Sequence, residues 1–518
     1  MRLIILFVLT TVVTVQAQSG IDWQVCLGGE GYDEPIEVKP TSDGGFIAIN
    51  EVSTGGGQVT GFHVGGTYNT DAWVVKVDST HNLQWQRCFG GTGSDQAKSV
   101  QPTADGGCIV GIITYSHDGD ASDNHGESDA LVVKLDADGD VEWKHCYGSS
   151  QYDWLTSISQ TTDGGFVFAG SAGANDGDVS GLHNPDSLKY DAWVVKLDPQ
   201  GGIVWQRCYG GSREEMFEHI IELPDGNLIA CGWTATANNG DVSGDHVSAY
   251  SDEDVWIVKL GSTGDIIWQH CYGGTNFDGA YYIKQLVDGT GLIFYGQAYF
   301  SDGDVDGGCT GNWNLWIVKI DNFGNISAQT CKTGVGDSRF AIDNSEDLSY
   351  ILFDGSCYPS DTPTISHCTE GYLIKYNSNA AQLWQYSFTL WEIGNLHALQ
   401  TTDGGYIVYG HARGNGDMPF ISHGHTDIWI AKLSASVGIE GIDTSMNSRV
   451  YPNPVADVLH YQVTGAVGAV VVYDVCGKKA SLPPTQNNSV DVSNLMPGVY
   501  VVEIVTKAER YRQRFVKT

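Results

Sequence analysis

One pattern recurs along most of the chain and restricts the possible folds more than any other feature. Its clearest mark is a tryptophan that returns about every sixty residues and is followed, in most copies, by a cysteine. The copies stand at Trp23, Trp85, Trp143, Trp205, Trp268 and Trp384, with Ala328 in place of the tryptophan in one copy. A period of this length indicates one supersecondary unit that is repeated seven times.

Each repeat contains four short segments in which apolar and polar residues alternate, separated by turns rich in Asp and Gly. One tight turn stands at Asp43, Asp105, Asp163, Asp225, Asp288 and Asp403. A further strand-like segment begins at Asp71, Asp129, Asp191, Asp254, Asn314, Gly371 and Asp427. The alternation, with no helical periodicity, predicts an all-β chain. Four-stranded units in seven copies predict a seven-bladed β-propeller over residues 18–435.

The two ends of the repeat region predict how the ring closes. The chain begins with a lone tryptophan segment, IDWQVC at 21–26, and the last repeat stops after DIWIAKL at 427–433. We therefore expect the N-terminal strand to complete the seventh blade, which removes the exposed sheet edge that would otherwise remain.

A short phrase within the repeat resembles a known family. KLDADGDVEW and KLDPQGGIVW are similar to the tryptophan-docking repeat of quinoprotein and outer-membrane-assembly propellers. The resemblance covers about ten residues per blade. It implies that the tryptophan packs between blades and that Asp and Gly form the turn. It does not imply a quinone cofactor.

The N-terminus and the charge indicate where the protein works. Met1-Arg2, a short apolar run and small residues up to Ala17 predict a signal peptide over 1–17. No later segment is apolar for long enough to span a membrane. The net charge is −35, and it is concentrated in residues 18–448, since residues 449–518 are weakly basic. Such a surface repels nucleic acid and anionic membranes, so neither is expected as a partner.

Six of the twelve cysteines occupy one position of the repeat. They are Cys26, Cys88, Cys146, Cys208, Cys271 and Cys331, with Ser387 in the seventh copy. Equivalent positions in neighbouring blades lie too far apart to bridge, which favours buried free thiols. Cys357 and Cys368 flank a loop and are the main disulfide candidate, and Cys309 with Cys331 is a weaker one. No CxxC pair indicates a zinc site.

The long loops carry a recurring acidic phrase, as in NDGDVSG at 175–181. An Asp returns at Asp120, Asp178, Asp241 and Asp304, with Gln58 in the first copy. Five residues later stand His63, His125, His183 and His246, with Cys309 in the fifth copy. The spacing differs from that of an EF-hand loop, and Asp before Gly also stabilises turns by itself. A structural role and a calcium site both remain open, with the structural role favoured.

A second set of acids precedes the segments predicted to form the innermost strands. The set is Asp33, Asp95, Asp153, Glu215 and Asp278. We expect these side chains to surround the mouth of the central channel. Carboxylates that converge repel one another unless a cation or backbone N–H groups intervene. Turn capping and a calcium site are therefore both compatible with the pattern, and calcium is the one cofactor that the sequence suggests.

The composition changes after residue 435. A polar linker over 436–448 leads to short alternating strands over 449–518, which predict a small Ig-like β-sandwich. YPNP, a YDxxGK centre, an LxxGxY turn and a basic tail are similar to the C-terminal sorting domain of type IX secretion cargo in Bacteroidetes. The matching residues are Pro452, Asn453, Pro454, Gly477, Gly498, Tyr500 and Lys517. The resemblance implies that the type IX machinery is a partner and that the protein reaches the cell surface or the medium.

Two classes of function remain. The first is a non-catalytic binding or adhesion module for a glycan or a protein, held on the long-loop face of a rigid ring. The second is a secreted polysaccharide-degrading hydrolase or lyase that uses acids on the same face. The chain has no GxSxG, HExxH or phosphate-loop motif. Near-identical repeats favour the binding module, because an enzyme usually breaks the symmetry at one site.

Overall fold

The fold is known from a computed structural model, which describes most of residues 21–517. The gaps are 67–68, 184–188, 247–251, 287, 307, 310–313, 333–339, 343–349, 355–370, 377–381, 389–392, 402–404, 413–423, 434–447, 452–454, 464–466, 475–478, 481–488, 496–497 and 507–509. The predicted signal peptide and the Cys357–Cys368 pair lie outside the described residues.

The described part of the repeat region forms seven four-stranded antiparallel sheets. Strand β1 (Ile21–Leu27) belongs to sheet 7 and is followed along the chain by sheets 1 to 6. Sheet 1 holds β2 (Asp33–Pro40), β3 (Phe46–Val52), β4 (Asp71–Val77) and β5 (Leu83–Phe89). Sheet 2 holds β6 (Asp95–Pro102), β7 (Cys108–Thr114), β8 (Asp129–Leu135) and β9 (Val141–Tyr147), with a 3-10 turn at Gly119–Ala121. Sheet 3 holds β10 (Trp154–Gln160), β11 (Phe166–Ala172), β12 (Asp191–Leu197) and β13 (Ile203–Tyr209).

The remaining sheets follow the same order. Sheet 4 holds β14 (Glu215–Glu222), β15 (Leu228–Thr234), β16 (Asp254–Leu260) and β17 (Ile266–Tyr272). Sheet 5 holds β18 (Gly279–Gln285), β19 (Gly291–Ala298), β20 (Asn314–Asp321) and β21 (Ile326–Lys332). Sheet 6 holds β22 (Phe340–Ile342), β23 (Tyr350–Asp354), β24 (Gly371–Tyr376) and β25 (Gln382–Phe388). Sheet 7 holds β26 (Ile393–Gln400), β27 (Tyr406–Ala412), β28 (Asp427–Leu433) and β1.

Strand β1 pairs antiparallel with β28, so the first strand of the chain completes the last sheet of the repeat region. Cys26 lies opposite Trp429, and Gln24 accepts a hydrogen bond of 3.0 Å from the Trp429 indole. The same contact recurs inside sheet 1, where the Trp73 indole donates to Gln86 at 2.6 Å. The predicted pairing of the N-terminal strand with residues 427–433 is confirmed.

Neighbouring sheets pack face to face on shared apolar cores, as in a propeller. One core joins Ile49 of sheet 1 to Val110 of sheet 2, and another joins Ile430 of sheet 7 to Trp73 of sheet 1. Similar cores join sheets 2 and 3, sheets 3 and 4, and sheets 4 and 5. Each strand therefore alternates between two such cores, which accounts for the period-two pattern of the sequence.

The first strands of the sheets converge on a common axis. His219 of β14 packs against Tyr282 of β18, with ring centroids 4.2 Å apart and the rings tilted by 42°. Lys39 of β2 lies close enough to Tyr282 and to Tyr409 of β27 to interact with them electrostatically. Residues of sheets 1, 4, 5 and 7 therefore meet near this axis, with Tyr409 coming from the second strand of its sheet.

The repeated tryptophans lie on the outermost strands and connect neighbouring sheets. Their indoles donate to backbone carbonyls in the turn of the following sheet, at 2.9–3.2 Å: Trp85 to Ala137, Trp143 to Pro199, Trp205 to Ser262 and Trp268 to Asn322. The lysines of the KLD phrase bind the Asp of the tight turn, as Lys76 binds Asp43 at 2.7 Å. The repeat signature is therefore explained by packing between sheets.

The C-terminal residues form two three-stranded sheets. One holds β29 (Ser448–Tyr451), β30 (Val458–Val463) and β32 (Ser489–Asp491), and the other holds β31 (Val467–Asp474), β33 (Gly498–Thr506) and β34 (Arg510–Lys517). Leu459 of the first sheet and Val502 of the second lie in the same apolar core. The two sheets therefore share one small core of their own. Across the described residues, no helix is long and apolar enough to cross a membrane.

Candidate functional site

The innermost strand of each sheet starts at a junction with the preceding sheet. An acid stands at the start of this inner strand, and its backbone amide donates a hydrogen bond to the preceding sheet. The acceptor is the carbonyl of the residue directly before the third strand of that sheet. These bonds are Asp33 to Thr426, Asp95 to Thr70, Asp153 to Ser128, Glu215 to Tyr190 and Asp278 to Glu253, at 2.7–3.1 Å. The five junctions have the same backbone geometry, so differences between them arise from side chains.

The five acids predicted at the channel mouth are buried in these junctions, each at most 1% exposed. Their carboxylates accept backbone N–H groups of the preceding turn, from Gly29, Gly91, Ser149, Gly211 and Gly274, at 2.5–3.0 Å. Burial raises the pKa of Asp33, Asp153, Glu215 and Asp278 to about 7, although these bonds lower it. The turns therefore enclose the acids, and their position around the mouth of the central channel stays a prediction.

A second buried carboxylate faces each of these acids. It is the first residue of the third strand of the preceding sheet: Asp427, Asp71, Asp129, Asp191 and Asp254. At Gly28 the two carboxylates come so close that an added Cβ would lie 2.5 Å from Asp33 Oδ2 and 2.8 Å from Asp427 Oδ1. The glycine is therefore required by close approach, and each junction holds a pair of acids.

A histidine from the long loop binds the second carboxylate. Nδ1 of His183 lies 2.6 Å from Asp191, and its Nε2 lies 3.2 Å from Asp241 in the long loop of the next sheet. These two bonds raise the pKa of His183 to about 10. The same bridge recurs with longer outer contacts at His63 to Asp71 and Asp120, His125 to Asp129 and Asp178, and His246 to Asp254 and Asp304.

The repeated Asp of the NDGDVSG loops is thus a structural partner. Besides the histidine, Asp178 accepts the amide of Gly148 at 3.3 Å and donates its own amide to the Gly148 carbonyl at 2.9 Å. Across the described residues, no group of three or more His, Cys, Asp or Glu side chains is arranged to hold a metal ion. Calcium at the five junction acids stays a prediction.

Most of the repeat cysteines are free thiols with the pKa raised by burial, including Cys88, Cys146, Cys208 and Cys271. Sheet 5 differs, because Cys331 forms a disulfide with Cys309. The expectation of a free thiol at Cys331 is therefore wrong, and the weaker disulfide candidate is formed. Cys309 stands where the other long loops carry the bridging histidine, so it replaces an ion pair with a covalent bond.

The residues just outside the buried acids form what we call the junction belt. It consists of the residue before each inner-strand acid and the residue before each third strand: Tyr32, Ser94, Tyr152, Glu214, Phe277, Thr70, Ser128, Tyr190, Glu253 and Thr426. The acids next to the belt are Asp or Glu in all five junctions, whereas the belt itself changes from copy to copy. A fixed frame with variable positions is typical of a binding face.

Aromatic side chains are concentrated on and beside the belt. Tyr32 is 59% exposed and stacks on His425, and Tyr152 is 37% exposed and lies 6.4 Å from Tyr115. The sequence analysis missed these residues, since it examined what the repeats share. The signal that could have found them was the change of residue directly before each invariant acid.

The sorting-motif residues of the C-terminal unit are only partly described. Gly498 and Lys517 lie opposite each other where β33 pairs with β34, and Lys517 is buried and also pairs with Val455. Tyr500 is partly buried against the core of this unit. Pro452, Asn453, Pro454 and Gly477 lie outside the described residues.

Comparison with known families concerns this unit. Residues 449–518 match the family model of the secretion system C-terminal sorting domain. Residues 449–518 are therefore the sorting domain of a type IX secretion cargo. The cargo is therefore exported out of the cell, to the surface or to the extracellular space. No curated protein matches the sequence.

The solved structures similar to the cargo are distant. A puromycin hydrolase superposes with a TM-score of 0.43 at 10% identity, over 73% of this chain and 50% of that chain. Sqt1 from Chaetomium thermophilum gives 0.37 at 11% identity, over 85% and 97%. The Pan2 WD40 domain from Neurospora crassa gives 0.31 at 12% identity, over 64% and 91%. A likeness this weak assigns neither an activity nor a ligand to the cargo.

Proposed function

We propose that this chain is a non-catalytic binding protein that holds a glycan or a protein outside the cell on the junction belt of a seven-bladed propeller. The observation that carries the proposal is the contrast at the five junctions between an unchanging buried frame and a variable, aromatic belt. Exposed aromatic residues on a rigid scaffold supply contact area at a low cost in conformational entropy.

The proposal includes the organisation of the chain. We assign residues 1–17 to a signal peptide, 18–435 to the propeller, 436–448 to a linker and 449–518 to the sorting domain, which we expect to be Ig-like. The pairing of β1 with β28 and the convergence of β2, β14, β18 and β27 support a single closed ring of seven blades. We further propose that the sorting-motif residues contact the secretion machinery and take no part in ligand binding.

One observation favours the enzyme as a second candidate. Burial, then the charges of Glu214 and Glu218, raise the pKa of Glu253 to about 7, and Glu253 Oε2 is buried without a hydrogen-bond partner. A carboxyl with a raised pKa beside a second carboxyl is the arrangement that a general acid needs. The binding function is the better supported one, because the buried acids recur at all five junctions and only the residues around them vary.

Both candidates can be tested with the exported protein. The purified chain is screened on arrays of glycans and extracellular proteins, and each ligand found is also incubated and analysed for cleavage. We expect binding without turnover, and weaker binding after Tyr32→Ala or Tyr152→Ala. Phe323→Ala is the matched control, since Phe323 is 75% exposed in a turn at the opposite end of the strands. Cleavage of a bound ligand would establish the enzyme instead.

A further inference from the structure

One arc of the junction belt differs from the rest in combining aromatic and acidic side chains. It runs from the junction of sheets 2 and 3 to the junction of sheets 4 and 5, and we call it the acidic-aromatic arc. Its belt residues are Tyr152, Tyr190, Glu214 and Glu253, and we include three neighbouring side chains outside the belt, Tyr115, Trp154 and Glu218. The corresponding belt residues between sheets 1 and 2 are Thr70 and Ser94, whose hydroxyls simply bond to each other at 2.8 Å.

The aromatic residues of the arc form two pairs of rings that lie close to each other. Trp154 and Tyr190 are stacked, with ring centroids 5.4 Å apart and an interplanar angle of 23°. Tyr152 is the most exposed of them at 37%, and its centroid is 6.4 Å from that of Tyr115. Tyr190 also occupies the belt position that bonds to Glu215, so the rings are fixed by backbone contacts on the frame.

Three glutamates continue this surface. Glu214 is exposed, and it lies near Tyr190 at the junction of sheets 3 and 4 because the next residue, Glu215, donates its amide to the Tyr190 carbonyl. Glu253 and Glu218 lie close enough to one another to interact electrostatically, and Glu253 Oε2 has no hydrogen-bond partner. The basic side chains of Lys189 and Arg213 stand beside the arc and donate to the backbone carbonyls of Ser212 and Ala235.

We propose that the acidic-aromatic arc binds a lysine or arginine side chain of an extracellular peptide or protein. The inference rests on the proposed binding function and adds the chemistry of the partner. Ring faces attract cations through their quadrupole, and carboxylates at the edge of the rings supply the complementary charge. The net charge of −35 gives the whole chain an attraction for such a partner at long range.

The charges favour a basic partner over a carbohydrate. A neutral sugar could stack on Tyr152 and Trp154, but it would leave Glu253 repelled by Glu214 and Glu218. An anionic glycan or a nucleic acid would add to that repulsion. A cationic side chain is the ligand that both the aromatic rings and the glutamates of the arc would bind.

The test uses the full mature chain and a fluorescent synthetic peptide with lysine at every third position. We expect binding at low salt that weakens as the ionic strength rises, and no binding of the same peptide with acetylated lysines. Glu214→Gln with Glu253→Gln should weaken binding at least about tenfold, and Tyr152→Ala several-fold. Phe323→Ala is the control, because it removes an exposed aromatic ring outside the junction belt and should leave the affinity unchanged.

Each other outcome has a definite meaning. If the unmodified chain does not bind the lysine peptide at low salt, the basic-partner inference is wrong. If a neutral oligosaccharide binds and the double glutamine variant binds it equally well, the inference is again wrong, whereas the proposed binding function stands. If the chain cleaves that oligosaccharide, the proposed function itself fails. Glu214→Gln alone keeps the test valid if the double variant does not fold, because Glu214 is exposed.

Discussion

The histidine bridge at the junction of sheets 3 and 4 gives the sharpest prediction about stability. His183 contacts Asp191 of its own sheet at 2.6 Å and Asp241 of the next sheet at 3.2 Å. The charged imidazole thus neutralises two carboxylates that belong to different sheets. We expect His183→Gln to loosen this junction, because glutamine can donate a hydrogen bond but cannot carry the positive charge.

The size of the effect follows from the pKa of His183, which the two bonds raise from 6.5 to about 10. At about 1.4 kcal/mol per pKa unit, this shift corresponds to an upper bound of about 5 kcal/mol. The side chain is 26% exposed, so solvent screening reduces the expected loss to about 2–3 kcal/mol. Because the folded-state pKa lies above the unfolded one, the contribution is complete below pH 6.5 and disappears as the pH rises through 10.

The assay is thermal unfolding of the unmodified chain and the variant between pH 6 and pH 10.5. If the propeller unfolds as one unit of about 400 residues, a loss of about 3 kcal/mol lowers Tm by about 3–4 °C at pH 6. The two curves should converge towards pH 10.5. His246→Gln is the matched control, since His246 contacts its two carboxylates at 3.4 and 3.7 Å and should contribute less. A constant difference across the whole pH range would refute the charge argument.

Four further predictions follow from the same junctions and from the sorting domain. Tm of the unmodified chain should fall from pH 5 to pH 8, because burial raises the pKa of four acids to about 7 in the folded chain. The folded chain binds these protons more tightly than the unfolded chain, and this stabilisation is lost as the pH rises through 7. A Tm that rises over this range would contradict the prediction. His183→Cys should form a disulfide with Cys208, by analogy with Cys309–Cys331 whose Cα atoms are 5.4 Å apart, and mass spectrometry after alkylation would detect it. A chain that ends at residue 436 should stay in the periplasm of its host, and its appearance on the cell surface would oppose the sorting role. Calcium should leave Tm unchanged, because the junction acids already accept backbone N–H groups; a rise that Asp95→Asn abolishes would instead support the calcium hypothesis.

The sheets could be predicted from the sequence because the same pattern of alternating residues and turns occurs in every repeat copy. The third strand of each sheet begins at the residue predicted from the repeat, for example at Asp71 in β4 and at Asp427 in β28. Closure by β1 could be predicted because a lone tryptophan strand at one end matched a missing one at the other. Both inferences need only periodicity, and neither depends on how side chains are oriented.

The environment of the acids could not be predicted in the same way. Asp95 and its equivalents lie at the predicted start of the inner strands. Their burial, however, results from the turn that covers each carboxylate and from a second acid, such as Asp71, that belongs to the preceding sheet. The partner of His183 in the next sheet, Asp241, is 58 residues away and comes close only through the packing of two sheets. Contacts between sheets of this kind have no signature within a single repeat.

The junctions also show why the residues that maintain the repeated structure differ from the residues that would bind a ligand. A side chain that returns in most copies, such as Asp178 or His125, satisfies a need that those junctions share, and here that need is to neutralise the charge of buried carboxylates. A ligand bound off the symmetry axis makes different demands on each junction. The residues that recognise it must therefore vary among the copies while their backbone stays the same. Tyr152 and Glu214 meet both conditions, because each stands directly before an invariant buried acid and neither is repeated at the next junction.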